Sequence, residues 1–410
     1  MHVALFPRVA PLGRVPHLKE IPRAPSPNNR PKTSSTPSQV QAVQAKPRLR
    51  LQIGGEGEKD HVSHTITLDL HVDCTHTHAH THATTMSSKP LVTHIYTADP
   101  SAHSFEGKIY VYPSHDRETD IEDNDNGDQY DMVDYHVFSM DSIDGPVTDH
   151  GVALKGSDVP WVSKQVWAPD AATKNGKYYF YFPARDKEGI FRIGVAESDR
   201  PEGPFKPDES YIPGSYSIDP ACFVDDNNEA YLLFGGLWGG QLQCWQTPGE
   251  FDASLGGPQE PSGEGVIALH PRVAKLSDDM HTFTEEPKEL VILAPETGKP
   301  ILADDHDRRF FEAAWMHKYD GKYYFSYSTG DSHYLVYAVG DSPYGPFTYR
   351  GRILEPVEGW TTHHSVVEHK GKWFLFYHDT SLSGKNHLRC VKAREIFYDK
   401  EGNIKLEPSS

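Results

Sequence analysis

Residues 90–410 are predicted to form an all-β body, a five-bladed β-propeller, behind a disordered N-terminal extension at residues 1–89. Three observations carry that prediction. A pattern of polar residue, short apolar run, Gly/Asn turn and aromatic strand returns five times after residue 95. No run of ten or more residues there keeps a helical period, which sets an α/β alternation aside. Five repeats over this length leave about 64 residues each, enough for a four-stranded sheet with its loops.

The elements follow in chain order. Residues 1–50 are rich in Pro, Ser, Gln, Arg and Lys and show no periodicity, so they cannot bury enough apolar area to offset chain entropy. "HTITLDLHVD" can make one isolated strand. "HTHAHTHATT" then sets His76, His78, His80 and His82 at every second position, either a low-complexity run or a tract with affinity for a soft divalent ion. Met86 is a natural start for the compact part, which makes the upstream segment a tail or a mis-assigned translation start.

The five copies are "ADPSAHSFEGKIYVYPSHD", "APDAATKNGKYYFYFPARD", "IDPACFVDDNNEAYLLFGG", "FEAAWMHKYDGKYYFSYSTG" and "HHSVVEHKGKWFLFYHD". Each reads as two strands joined by a tight hairpin. A second set of echoes, "DSIDGPV", "SDRPEGPF" and "DSPYGPF", reads as turns between outer strands. The leading polar groups are Asp99, Asp170, Asp219, Glu312 and His363. In a propeller the innermost strand of every blade points its end at the central channel, so these five converge on one axial cavity. A single strand-leading Asp is more often a turn cap; acids on four of five equivalent strands, with His on the fifth, point to a site.

Charge narrows the partners. Residues 1–90 hold 11 Lys/Arg against 6 Asp/Glu, which leaves 29 against 52 of the chain's 40 and 58 for the rest. So acidic a body repels phosphate backbones and anionic lipid, so nucleic acid and membrane surfaces are excluded as partners, whereas neutral sugars are not. No run of 18 apolar residues is present. The four cysteines are far apart with no CxxC pair, and a chain of this length does not need disulfides.

A ring of carboxylates suits glycosidic bond cleavage. One protonated carboxyl assists the leaving oxygen and one ionised carboxylate acts on the opposite face of the sugar. Asp99 and Glu312, on blades one and four, can face each other across the ring. A third carboxylate nearby, such as Asp219, would raise the acid's pKa by like-charge repulsion.

"TADPS", "WAPDA", "SIDPACFVDD", "FFEAAW" and "THHSVVEHKGKWFLFYH" together resemble the blade motifs of glycoside hydrolase family 43, over about residues 92–405. The resemblance implies an inverting five-bladed enzyme with Asp99 as catalytic base, Glu312 as general acid and Asp219 as the pKa-modulating, acid-orienting aspartate. Asp170 is the alternative third carboxylate. His363 matches an axial histidine that in many members lies beside a central Ca²⁺ or ligates it through water, and the adjacent His364 can exchange roles with it. Arg389 resembles a late arginine that reaches sugar hydroxyls; a surface ion-pairing arginine is the plainer alternative. Trp167, Phe310 and Trp315 flank the acids and can stack on a pyranose face or simply pack the blades. A long acidic insertion in blade one, "SHDRETDIEDNDNGDQYDMVDYHVF", and a Gly/Pro-rich stretch at 246–265 are expected to form the rim.

The expected activity is exo-acting release of xylose from xylo-oligosaccharides, with α-L-arabinofuranosides as a second substrate class. Arabinan-directed hydrolysis on the same fold and a non-catalytic sugar-binding propeller are the rivals. Retaining fructosidases of the same shape rely on Trp-Met-Asn-Asp-Pro and Arg-Asp-Pro motifs absent here. A signal-peptide pattern is not seen before either start, so an intracellular, cytoplasmic enzyme acting on imported oligosaccharides is expected.

Overall fold

The computed structural model describes residues 89–247 and 249–408; the expected extension, apart from Lys89, lies outside them. Five sheets share one axis. Blade 1 contains β1 (Tyr96–Phe105), β2 (Lys108–Asp116), β3 (Asp134–Met140) and β4 (Thr148–Lys155), and blade 2 contains β5 (Asp170–Lys174), β6 (Lys177–Arg185), β7 (Phe191–Ser198) and β8 (Lys206–Pro207). Blade 3 is built from β9 (Ala221–Val224), β10 (Ala230–Phe234), β11 (Arg272–Lys275) and β12 (Lys288–Glu289). Blade 4 has five strands: β13 (Ile292–Leu293), β14 (Glu312–Tyr319), β15 (Lys322–Ser328), β16 (Leu335–Gly340) and β17 (Phe347–Leu354), with β13 running parallel to β17. Blade 5 closes the set with β18 (His364–His369), β19 (Lys372–Asp379), β20 (Cys390–Tyr398) and β21 (Ile404–Lys405). The only helices among the described residues are short 3-10 turns, and none is long and apolar enough to cross a membrane.

The repeat seen in the sequence is the hairpin between the first two strands of each blade. In blades 1, 2, 4 and 5 a two-residue loop joins them, at Glu106-Gly107, Asn175-Gly176, Asp320-Gly321 and Lys370-Gly371. Both residues of each loop have positive φ, the I′ geometry whose twist matches the flanking strands. Glycine serves the second position because an L side chain there is strained. Blade 3 uses a longer loop with Asn228 at φ 64. The "GP" echoes at 203–204 and 345–346 fall between third and fourth strands, as expected.

The aromatic content packs blade against blade. Tyr112 meets Phe180 at 6.0 Å between blades 1 and 2, Phe223 meets Tyr323 at 5.8 Å between blades 3 and 4, and Tyr319 stacks on Tyr398 at 3.6 Å between blades 4 and 5. Each such pair adds about 0.5–1.5 kcal/mol beyond its area burial. The innermost strands β1, β5, β9, β14 and β18 touch in sequence, and β18 returns to β1. Closure is reinforced where the Leu91 and Thr97 amides donate to the Val391 and Arg389 carbonyls, at 2.8 and 3.0 Å. Cys222, Cys244 and Cys390 are buried free thiols.

Candidate active site

Local backbone irregularity turns three of the strand-leading acids into the axis. In β1 the register with β2 breaks between Ala98 and Ser101, and Asp99 sits in the break at φ 48. In β14 the register breaks between Glu312 and Trp315, with Ala313 at φ 62. Asp219, two residues ahead of β9, has φ 55. Left-handed backbone at a non-glycine residue costs on the order of 1–3 kcal/mol, and a bulge re-aims the side chain it carries.

The three carboxylates line one cavity of about 210 Å³ together with His363, Arg389, Trp167, Tyr130 and Phe311. Its mouth is bordered by Trp238 and Trp360, whose rings lie 5.6 Å apart, and by Asp123, Asn124 and Asp125 of the blade-one insertion. That insertion is anchored: Arg185 donates to the Asn126 carbonyl at 3.2 Å and to the Gly239 carbonyl at 3.3 Å. Gly239 is glycine because a Cβ there would stand 2.7 Å from Asn126 O.

One wall is cationic. Arg389 donates from Nη1 to Asp99 Oδ1 at 2.9 Å, while its Nε and Nη2 grip Asp116 Oδ2 and Oδ1, each at 2.8 Å. The guanidinium lies over the Tyr130 ring, 4.8 Å from its centre. Ser114 Oγ donates to Asp99 Oδ2 at 2.6 Å. Burial alone would raise the Asp99 pKa, but Arg389, then His378 and His363, with the Ser114 hydrogen bond, bring it down to about 2. His378, which accepts from the Asp99 amide at 2.9 Å, is held neutral by burial, its pKa falling to about 3.

The opposite wall has no such compensation. Burial first, then the Asp99 charge, lift Glu312 to about 8 against the pull of Arg389. Asp219 is also raised, by burial, Glu312 and Asp99. Asp219 Oδ2 accepts the Ala313 amide at 2.7 Å and faces His363 Nε2 at 3.8 Å. Donors to Asp219 favour its ionised form, so the proton that this close pair retains at neutral pH belongs on Glu312. The same amide contact ties Asp219 to the residue following Glu312 and orients it.

Sequence-expected residues divide accordingly. Asp99, Asp219, Glu312, His363, Arg389 and Trp167 share the cavity. Three expected sugar contacts do not line it. Asp170 starts a strand in regular register and is 1% exposed, its carboxylate held by Ser101, by His103 at 2.7 Å and by the Cys222 amide at 2.5 Å. Trp315 donates to the Val366 carbonyl at 3.0 Å and lines, with Asp170, a separate hollow. Phe310 is a core residue; its neighbour Phe311 takes the wall position. Nor do the described residues of the 246–265 stretch line the cavity, although the blade-one insertion does. His364 does not exchange roles with His363: its Nε2 is spent on Ser326 Oγ at 2.6 Å. Arg389 is buried, not a surface ion pair. The sequence reading missed Asp116, Tyr130, Thr361, Trp238 and Trp360.

Comparison with known proteins decides what this cavity serves. The model of glycosyl hydrolases family 43 matches residues 147–403. A xylosidase/arabinosidase of Humicola insolens is 75% identical over 78% of this chain and 98% of its own length. The chain belongs to glycoside hydrolase family 43. Solved family structures agree with the fold. A β-xylosidase/α-arabinofuranosidase from a compost microbial metagenome, in complex with xylotriose and in a calcium-free form, is 62% identical with a TM-score of 0.76, over 78% of this chain and 97% of that one. A Xanthomonas citri family 43 enzyme complexed with xylotriose is 51% identical with a TM-score of 0.73, over 78% and 92%. This family 43 chain is therefore a glycoside hydrolase, and its cavity holds one carboxylate whose pKa its surroundings lower and one whose pKa they raise.

Whether the axis suits Ca²⁺ depends on His363. Its Nδ1 accepts the His364 amide at 2.8 Å, so Nε2 carries the hydrogen of the neutral ring. Nε2 is buried without a hydrogen-bond partner. An N–H cannot ligate a cation, so His363 does not fit as a direct metal ligand. The arrangement does fit a donor to a water molecule.

Proposed function

We propose that the chain is an inverting, exo-acting pentosidase that removes β-xylosyl units from short xylo-oligosaccharides and accepts α-L-arabinofuranosides as well. The observation that carries this reading is that Asp99, held by Arg389 and Ser114, and Glu312, which has no charged donor, line the same small cavity. Asp99 takes a proton from water as that water attacks the anomeric carbon. Glu312 gives its proton to the departing glycosidic oxygen. Asp219 positions Glu312 through Ala313 and keeps its pKa high. Arg389 holds Asp99 ionised and, with Trp167, borders the space where the sugar sits. An axial Ca²⁺, if bound, would meet His363 only through water.

Substrate choice is supported by relatives named xylosidase/arabinosidase or β-xylosidase at 50–75% identity. The exo mode is supported by the blade-one insertion, whose residues line the cavity from Asp123 to Met132. Xylotriose hydrolysis followed by NMR tests both at once. Xylose released first as the α-anomer, with xylobiose as co-product, is expected. Initial β-xylose would contradict inversion, and release of only internal fragments from arabinan would contradict the exo mode.

A further inference from the structure

Blade 1 carries a second group of ligating side chains, outside the cavity and unused by hydrolysis. His115 lies at the end of β2, while Asp134 and His136 lie two apart on β3 and so share one face. One ligand atom from each lies within 4.8 Å of the others. His115 Nδ1 is 2.6 Å from Asp134 Oδ1, and the two imidazoles stand edge to face with centroids 4.9 Å apart. All three are half-buried, sheltered enough to be held yet reachable from solvent.

Behind them is a supporting layer. His136 Nδ1 meets Asp149 Oδ1 at 3.2 Å, and Asp149 also accepts the Gly151 amide at 2.7 Å and meets His94 Nε2 at 2.7 Å. A carboxylate on Nδ1 fixes the hydrogen there and leaves the Nε2 lone pair free, the arrangement that orients histidine ligands in metal sites. Among the described residues His136 Nε2 has no hydrogen-bond partner. His–Asp pairs and a stack on Phe138 hold both rings in place, and they leave His136 Nε2 without a partner.

We propose that His115, Asp134 and His136 bind one divalent transition-metal ion of the zinc class. Two imidazoles and one carboxylate suit such borderline ions, whereas Ca²⁺ and Mg²⁺ prefer all-oxygen shells. The ion replaces the hydrogen between His115 Nδ1 and Asp134 Oδ1, that hydrogen moving to His115 Nε2, and water completes the coordination. Its role is to pin the end of β2 to β3. Asp116, the next residue, points to the other face of β2 and grips Arg389, so the ion steadies the strand from which the Asp116–Arg389–Asp99 chain hangs.

The histidine tract at 76–82 is a competing binder, so the test uses the full chain carrying His76→Gln, His78→Gln, His80→Gln and His82→Gln. Stripped with EDTA and titrated with ZnCl₂ or CoCl₂, this protein should take up one ion. Co²⁺ should give the visible absorption of a low-coordinate nitrogen/oxygen site, and Zn²⁺ should raise the Tm. Adding His115→Gln with His136→Gln should abolish all three. If that double variant does not fold, His136→Gln alone, which keeps the His115–Asp134 pair, should weaken Co²⁺ binding about tenfold or more. No ion on the parent, or an equal ion count and spectrum in the folded His115/His136 variants, would overturn the proposal.

Discussion

Asp99 and Glu312 are both carboxylates at an innermost strand, both set by a break in strand register, and both on the wall of one cavity. They differ in what meets their oxygens. Asp99 has a guanidinium on one oxygen and a serine hydroxyl on the other. Glu312 has no charged donor and looks across at the Asp99 charge, which destabilises its own ionisation. Identical chemistry thus meets opposite surroundings, which favour ionisation of Asp99 and retention of the proton by Glu312. The difference is made by the second strand and last blade, through Ser114, Asp116 and Arg389, rather than by the motifs that hold the acids.

Removing either carboxylate should have the largest effect. Asp99→Asn should lower kcat/KM by about 10²–10⁴-fold on every substrate, since nothing else on that wall can take the proton from water. Retention of activity within about tenfold in steady-state assays would remove Asp99 from its role. Glu312→Gln should lose as much on xylobiose but much less on nitrophenyl xyloside, whose leaving group needs little protonation. Glu312 also links to stability. Its folded pKa of about 8 lies above the ordinary 4.5, so the fold binds the extra proton between those values and stability falls as pH rises through them. Urea unfolding across that range should show a flatter pH dependence in Glu312→Gln.

Weakening the cationic wall should do less to rate and more to pH response. Asp116→Asn loosens Arg389, so the Asp99 pKa should rise from about 2 and the acid limb of kcat/KM should move to higher pH. Breaking a buried pair in this way also costs about 3–5 kcal/mol, readable in the same unfolding experiment. In the native protein the Asp99 contribution to stability is complete above its ordinary value of 3.8 and is lost as pH falls through about 2. A smaller effect is expected of Asp219→Asn, a downward shift of the basic limb with a modest change in rate. Asp170→Asn should leave both limbs in place and cost about 1–3 kcal/mol of stability, because one of the two oxygens that accept from Ser101, His103 and the Cys222 amide becomes an NH2 donor. A limb that moved with Asp170 and not with Asp219 would exchange their roles.

The blades, their hairpins and the five strand-leading groups were legible because each recurs with the same turn chemistry. Which of those groups face the cavity was not. Alternation assumes regular strands, and the breaks at Asp99 and Glu312 are what turn those side chains, whereas Asp170 opens a regular strand and points elsewhere. Phe310 in place of Phe311 is a one-residue error of the same origin. Asp116 did leave a trace: "SHD", "ARD" and "YHD" stand at or just past the ends of three second strands, a column of acids at Asp116, Asp186 and Asp379. Asp186 and Asp379 find partners within their own blades, whereas Asp116 meets Arg389 across blades remote in sequence, a contact that no local pattern records. Trp238 and Trp360 lie in loops without repeat character.

The opposed states of the two walls are tested most directly by infrared difference spectroscopy of the carboxyl C=O stretch during a pH titration. A protonated-carboxyl band should persist through neutral pH, titrate near 8, vanish in Glu312→Gln and survive in Asp170→Asn. A band that is absent at neutral pH in the native protein, or that persists in Glu312→Gln and disappears in Asp219→Asn, would contradict the assignment of the proton to Glu312.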